Sequence, residues 1–164
     1  MLTRLRRFAV ISVALAGLAF GPDLVAGQPV PFVGSSTNQA ISAVPVDPEH
    51  VFVTTIGAGH ASHLGKFTFV SPHLSGLVDF SISGEQFFTA ANGDELHATL
   101  EGNLQPIVDE TGHVFLVGDI DGTIVGGTGR FANATGSFTF SLVFDTVTVS
   151  STAEIDGTIQ FAGK

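Results

Sequence analysis

The chain has no cysteine, no tryptophan and no tyrosine, and only six basic residues against 15 acidic ones. Each absence excludes something. Without cysteine there is no disulfide, no thiolate nucleophile or metal ligand, and no acylated lipoprotein cysteine. Burial and backbone pairing must hold the fold. A formal net charge of −9 repels phosphate backbones and anionic lipid heads, so nucleic acid is not an expected partner. Sugar sites stack their ligands on tryptophan or tyrosine, which weighs against a lectin. What the chain has instead is 15 phenylalanines and 20 glycines. Phenylalanine supplies bulk without a polar handle, as a core or an apolar cavity requires.

The N-terminus reads as an export signal. Arg4, Arg6 and Arg7 precede an apolar run from Phe8 to Phe20, followed by Gly21-Pro22 and small residues at Ala26 and Gly27. That run is shorter than the ~20 residues of a membrane span, so residues 1–26 are expected to be a signal peptide. The mature protein would then be secreted or periplasmic, without a membrane span. Its basic residues are Lys66, Arg130 and Lys164.

Residues 27–50 hold four prolines and read as an extended linker, with one short edge segment at Val30–Val33. The compact domain is expected over 51–164. Eight strands are predicted there, at roughly 51–57, 63–71, 77–83, 86–91, 94–102, 113–124, 130–144 and 147–161. Asn92-Gly93 suits a type I′ hairpin turn. Phe138, Phe140, Leu142 and Phe144 share one face of their strand, opposite Ser137, Thr139 and Ser141. This alternation marks strands with one buried and one wet face. Closure into a barrel removes exposed edges, although a two-sheet sandwich has the same pattern. Ile-Asp-Gly-Thr-Ile occurs at 120–124 and again at 155–159, each time with glycine on the presumed inner face. Glycine there relieves crowding at a barrel corner, which favours the barrel.

The segment Ile124-Val-Gly-Gly-Thr-Gly-Arg-Phe131, followed by Ala134-Thr-Gly136, resembles plant dirigent proteins and, more loosely, the allene oxide cyclases. Residues 51–161 look most like exported bacterial proteins of the allene-oxide-cyclase-like barrel group. They share the His63-Leu-Gly-Lys-Phe-Thr element, the Ala91-Asn-Gly-Asp turn and the Gly-Arg-Phe turn. The resemblance implies a single eight-stranded antiparallel β-barrel with a hydrophobic central cavity, often as a trimer. Dirigent proteins orient phenoxy radicals in that cavity, and allene oxide cyclases fold a fatty-acid epoxide in it. Both act by confining a reactive apolar molecule. A matched turn is a fold marker and does not carry the chemistry with it.

Few residues offer chemistry of their own. Asp79 lies between Val78 and Phe80 and, facing inward, would be an acid or base with a raised pKa. Arg130 is a candidate ligand contact or a turn anchor. His60-x-x-His63 is a candidate metal pair, although three-residue spacing along a strand puts the two on opposite faces. His73, between Pro72 and Leu74, reads as a loop residue. Asp119-x-Asp121-Gly122 is reminiscent of a calcium loop, but Ile124 stands where an EF-hand needs glycine. Gly127-x-Gly129-x-x-Ala132 fits a dinucleotide fingerprint in form only, because a strand pattern follows it and no helix does. No cofactor is expected. Asn133-Ala-Thr135 is a formal glycosylation sequon, and no Gly-x-Ser-x-Gly elbow occurs.

Three uses remain. The barrel binds a small apolar molecule, it catalyses a cyclase-like or dirigent-like reaction in the same cavity, or it is a structural protein with a filled interior. A phenylalanine-lined void of ~300 Å³ or more separates the first two from the third. Phe115 and Val117, expected to point outward, suggest a homo-oligomer (a trimer or dimer).

Overall fold

A computed structural model describes residues 27–163. The expected signal peptide lies outside the described residues. Nine strands follow one another: β1 (Val30–Pro45), β2 (His50–Ala61), β3 (Gly65–Gly76), β4 (Ser81–Ala90), β5 (Glu95–Asn103), β6 (Gln105–Val108), β7 (Val114–Gly127), β8 (Thr135–Asp145) and β9 (Ser150–Gln160). All pairings are antiparallel, in the order β5-β4-β3-β2-β1-β9-β8-β7-β6. A further pairing of β5 with β7 closes eight strands into a barrel. The short β6 continues past β5 along the first residues of β7 as an extra strand. A single 3₁₀ turn, Gly129–Phe131, joins β7 to β8.

Residues 27–50 are therefore not a linker. Most of them form β1, the longest strand, which pairs with β2 and β9 and completes the barrel. Pro31 is tolerated for a reason of direction. The carbonyl of Pro31 accepts from Ser62 Oγ (2.9 Å) and His63 Nε2 (3.1 Å), so its missing N–H also faces that side. The ladder with β2 ends at Gly34, so no partner is lost. The expected strands 77–83 and 86–91 also need correction. Residues 77–79 are a turn, and a single strand, β4, runs through Gly84. Among the eight strands of the barrel one missed strand (β1) and one strand divided in two (β4) cancel, and the extra strand β6 was not expected. The structure places Phe115 and Val117 on the outer face, opposite Asp145 and Val143.

The interior is built from phenylalanine against glycine. Phe138 lies between Gly122 on β7 and Gly157 on β9, the two glycines of the repeated pentapeptide. Phe69 faces Gly57 and Phe67 faces Gly59. A Cβ at Gly122 would stand 2.3 Å from the Phe138 ring, and one at Gly57 2.3 Å from the Phe69 ring. The rings of Phe32, Phe67, Phe69, Phe88, Phe138 and Phe140 form one connected cluster of mostly edge-to-face contacts, 5.3–6.4 Å between centroids. One end of the barrel is plugged. Leu64, Phe131 and Ala134, from the β2–β3 and β7–β8 connections, are fully buried there.

Gly122→Ala is expected to destabilise the fold by about 1–3 kcal/mol through overpacking against Phe138. Thr123→Ala, next to it on the exposed face, should stay within about 0.5 kcal/mol of wild type. Urea midpoints of the two variants check this.

Candidate functional site

The phenylalanine cluster fills only the plugged half of the barrel. Toward the other end the inward residues become Ala40, Ala43, Thr55, Ser71 and Ser75, and a cavity of about 320 Å³ opens. Phe69, Phe140 and Ile120 are among its lining, as are Leu77, Phe80, Leu104 and Val149 from the strand ends at its mouth. Two mouth residues hold left-handed backbone without being glycine: Phe80 at φ 54° and Val149 at φ 49°. That conformation is costly for a β-branched side chain. The Val149 carbonyl is held by the Ala40 N–H and by Gln39 Nε2, both at 3.0 Å. A larger depression of about 870 Å³ lies mostly on the outer face and is lined from β1, β2, β3, β7, β8 and β9.

Besides the hydroxyls of Thr55, Ser75 and Ser151, four polar side chains sit in the cavity wall. Asn38 is satisfied, accepting from Ser36 Oγ (2.8 Å) and donating to Ser151 Oγ (3.0 Å). Ser71 Oγ donates to the Glu85 carbonyl at 3.0 Å. This repairs the ladder where Pro72 has no N–H to give. His73 Nδ1 lies 3.1 Å from the Ser71 carbonyl. A carbonyl can only accept, so Nδ1 carries the proton and Nε2 is left as an acceptor. Burial holds the His73 pKa below its usual 6.5, so the ring is neutral. Gln86 is 1 % exposed, and its Nε2 has no hydrogen-bond partner among the described residues.

The site residues expected from sequence lie elsewhere. Asp79 is exposed in the β3–β4 turn, where its Oδ1 accepts from the Ser81 N–H at 3.0 Å. That bond, with the Ser81 hydroxyl, lowers its pKa, the reverse of the shift expected of a buried acid. Arg130 belongs to the plugged end. Its guanidinium lies 4.9 Å from the Phe131 ring centroid and 3.8 Å from Asp94, and its N–H donates to Asp94 Oδ2. His63 is in the β2–β3 turn, bonded to Pro31, while His60 points outward beside Lys66. No group of three or more metal-ligating side chains occurs among the described residues. Asp119 and Asp121 stand on the outer face of β7. The Gly127-x-Gly129 stretch leads through the 3₁₀ turn into strand β8 and so has no helix to hold a pyrophosphate.

Sequence reading missed Gln86, Ser71 and His73. The available signal was phase, since Gln86 keeps step with Ile82, Gly84, Phe88 and Ala90 on one face. Dividing β4 in two hid that phase, and Pro72 disguised His73 as a loop residue although β3 runs through to Gly76.

His73 makes stability depend on pH. Below 6.5 the unfolded chain takes up a proton that the buried ring resists, so its contribution is intact above pH 6.5 and is lost as the pH falls. His50 has the opposite sign, being raised by Asp47, but it is an exposed, screened pair. No other titratable side chain lines the cavity. The melting temperature should therefore drop between pH 7.5 and 5.5, and the drop should be smaller in His73→Gln, as read by thermal melts at both pH values.

Comparison of the whole chain with protein-family models, with curated proteins and with solved structures gives no match.

Proposed function

We propose that this protein is an exported β-barrel that binds a small hydrophobic molecule in the cavity at its open end. The observation that carries this reading is the cavity itself. It is about 320 Å³, walled by aliphatic and phenylalanine side chains, inside a barrel that is otherwise filled. Sites for small molecules begin at about this size. The mouth agrees with it, because Leu77 and Val78 stand exposed beside the opening and give an apolar molecule a surface to cross. Resemblance to the allene-oxide-cyclase-like barrels in the turn segments adds support of the same kind, since those barrels confine apolar molecules.

Binding fits this wall better than catalysis. His73 is its single ionisable residue, and neither Asp79 nor Arg130 is part of it. A wholly filled structural barrel fits only the plugged half.

Titration with nonane from a saturated headspace tests the proposal, with shifts of the Leu100, Ile120 and Leu142 methyl resonances as readout. Saturable shifts confined to the cavity are expected. Ala43→Phe, which puts a ring into the space, should weaken binding at least tenfold. Absence of any cavity-specific shift in the folded wild-type protein would exclude the reading.

A further inference from the structure

Gln86 is the one polar side chain in the cavity wall whose buried polar atom is left unused. Ser71 donates to Glu85, Asn38 is bonded on both ends of its amide, and His73 Nδ1 is taken by Ser71, which leaves His73 Nε2 as an acceptor only. The register holds Gln86 opposite Ala98 on β5, with Leu100 and Phe88 flanking it on the inner face. An amide N–H in such surroundings costs stability unless something accepts from it. A leucine or methionine would fill the place without that cost. The wall therefore holds an unsatisfied donor, deep among apolar groups, which a molecule in the cavity engages once the amide turns toward it.

Charge narrows the choice of acceptor. No lysine or arginine lines the cavity. Lys66 and Arg130 both belong to the plugged end of the barrel. The connections at the open end carry Asp47, Glu49, Asp79, Asp109 and Glu110 instead. A carboxylate or phosphate would meet like charge at the mouth and no counter-ion within, and burying an unpaired charge is far costlier than burying a neutral oxygen. Volume gives the scale. At the ~30 Å³ that a water-sized group occupies in a liquid, the cavity takes about ten non-hydrogen atoms.

We infer that the cavity selects a neutral carbonyl compound of about ten non-hydrogen atoms (a ketone, aldehyde, ester or lactone) whose oxygen accepts from Gln86 Nε2 while its hydrocarbon part fills the space above Phe69 and Phe140. This rests on the proposed function, and the test keeps the two apart.

The probes are 2-nonanone, nonane and nonanoate, titrated at pH 7.5 into the wild-type protein and into Gln86→Met, which keeps the length of the side chain and removes the donor. The inference expects the ratio of ketone to nonane dissociation constants to rise about five- to tenfold in Gln86→Met, with nonanoate at least tenfold weaker than the ketone in wild type. It also expects the carbonyl carbon of [2-13C]2-nonanone to move downfield in the wild-type complex, and the Gln86 side-chain amide resonances to shift with it. That spectroscopic arm needs no variant and decides the matter even where Gln86→Met fails to fold. Saturable binding of both neutral probes, with an unchanged ratio and a carbonyl resonance as in hydrocarbon, would overturn the carbonyl assignment and leave the cavity reading standing. Failure of nonane and 2-nonanone alike to bind would overturn both.

Discussion

Everything in this barrel depends on how a phenylalanine ring meets a bare backbone. A small closed barrel has room inside for little more than its own side chains. A ring projecting from one strand can cross that space only if the neighbouring strands present nothing at the same level. Phe138 meets that condition on both sides, at Gly122 and Gly157, and Phe69 and Phe67 meet it at Gly57 and Gly59. Glycine weakens an isolated strand, but here the ring takes up the space and the exposed backbone. The pentapeptide that occurs twice thus has a structural reason. Its two copies form the two walls of one phenylalanine slot.

The same rule places the cavity. Toward the open end the inward positions of β1, β2 and β3 include Ala40, Ala43, Thr55, Ser71 and Ser75, small side chains with no phenylalanine on these strands opposite them. Where the pairing of ring and glycine stops, the interior is no longer filled. The other end is closed by chain. The β2–β3, β4–β5 and β7–β8 connections converge there, tied by reciprocal bonds between Glu95 and Thr128 and by Asp94 to the Arg130 N–H. Gly129 (φ 53°) has no room for a side chain, since a Cβ would stand 1.9 Å from Asp94 Oδ1. The turn segments on which the family resemblance rests are therefore parts of the plug and stand away from the cavity.

This division explains what could be read in advance. Strands with a strict two-residue alternation, such as β8, β9 and the second half of β7, were legible because one face is apolar throughout. The barrel followed from them and from the inward glycines. β1 was not legible, because its prolines carry a local signal for a linker, while the tolerance of Pro31 depends on where β2 ends, which is a tertiary fact. The cavity residues were hidden by the same kind of long-range compensation. Ser71 supplies to Glu85 the hydrogen bond that Pro72 cannot, so β3 continues where its sequence says it should stop, and His73 turns inward. Asp79 misled in the opposite way. Its apolar neighbours Val78 and Phe80 look like a strand, yet they belong to the rim of the opening, where Val78 is exposed and Phe80 packs half-buried against the core.

Charge completes the asymmetry. Acidic side chains occupy the outer face of the barrel, at Glu101, Asp121, Glu154 and Asp156, where a membrane-spanning barrel needs an apolar band. They recur in the connections around the open end, and Lys66 and Arg130 stand at the other. A molecule approaching the mouth meets a negative field first, exposed valine and leucine next, and an uncharged wall last. On the proposed reading, anions are turned away at the first step. Cations are drawn to it but find no carboxylate within, because the acids stop at the rim. On that reading, what passes all three steps is uncharged and largely apolar, and within that class the unpaired amide of Gln86 and the open Nε2 of His73 tell one molecule from another by more than its shape.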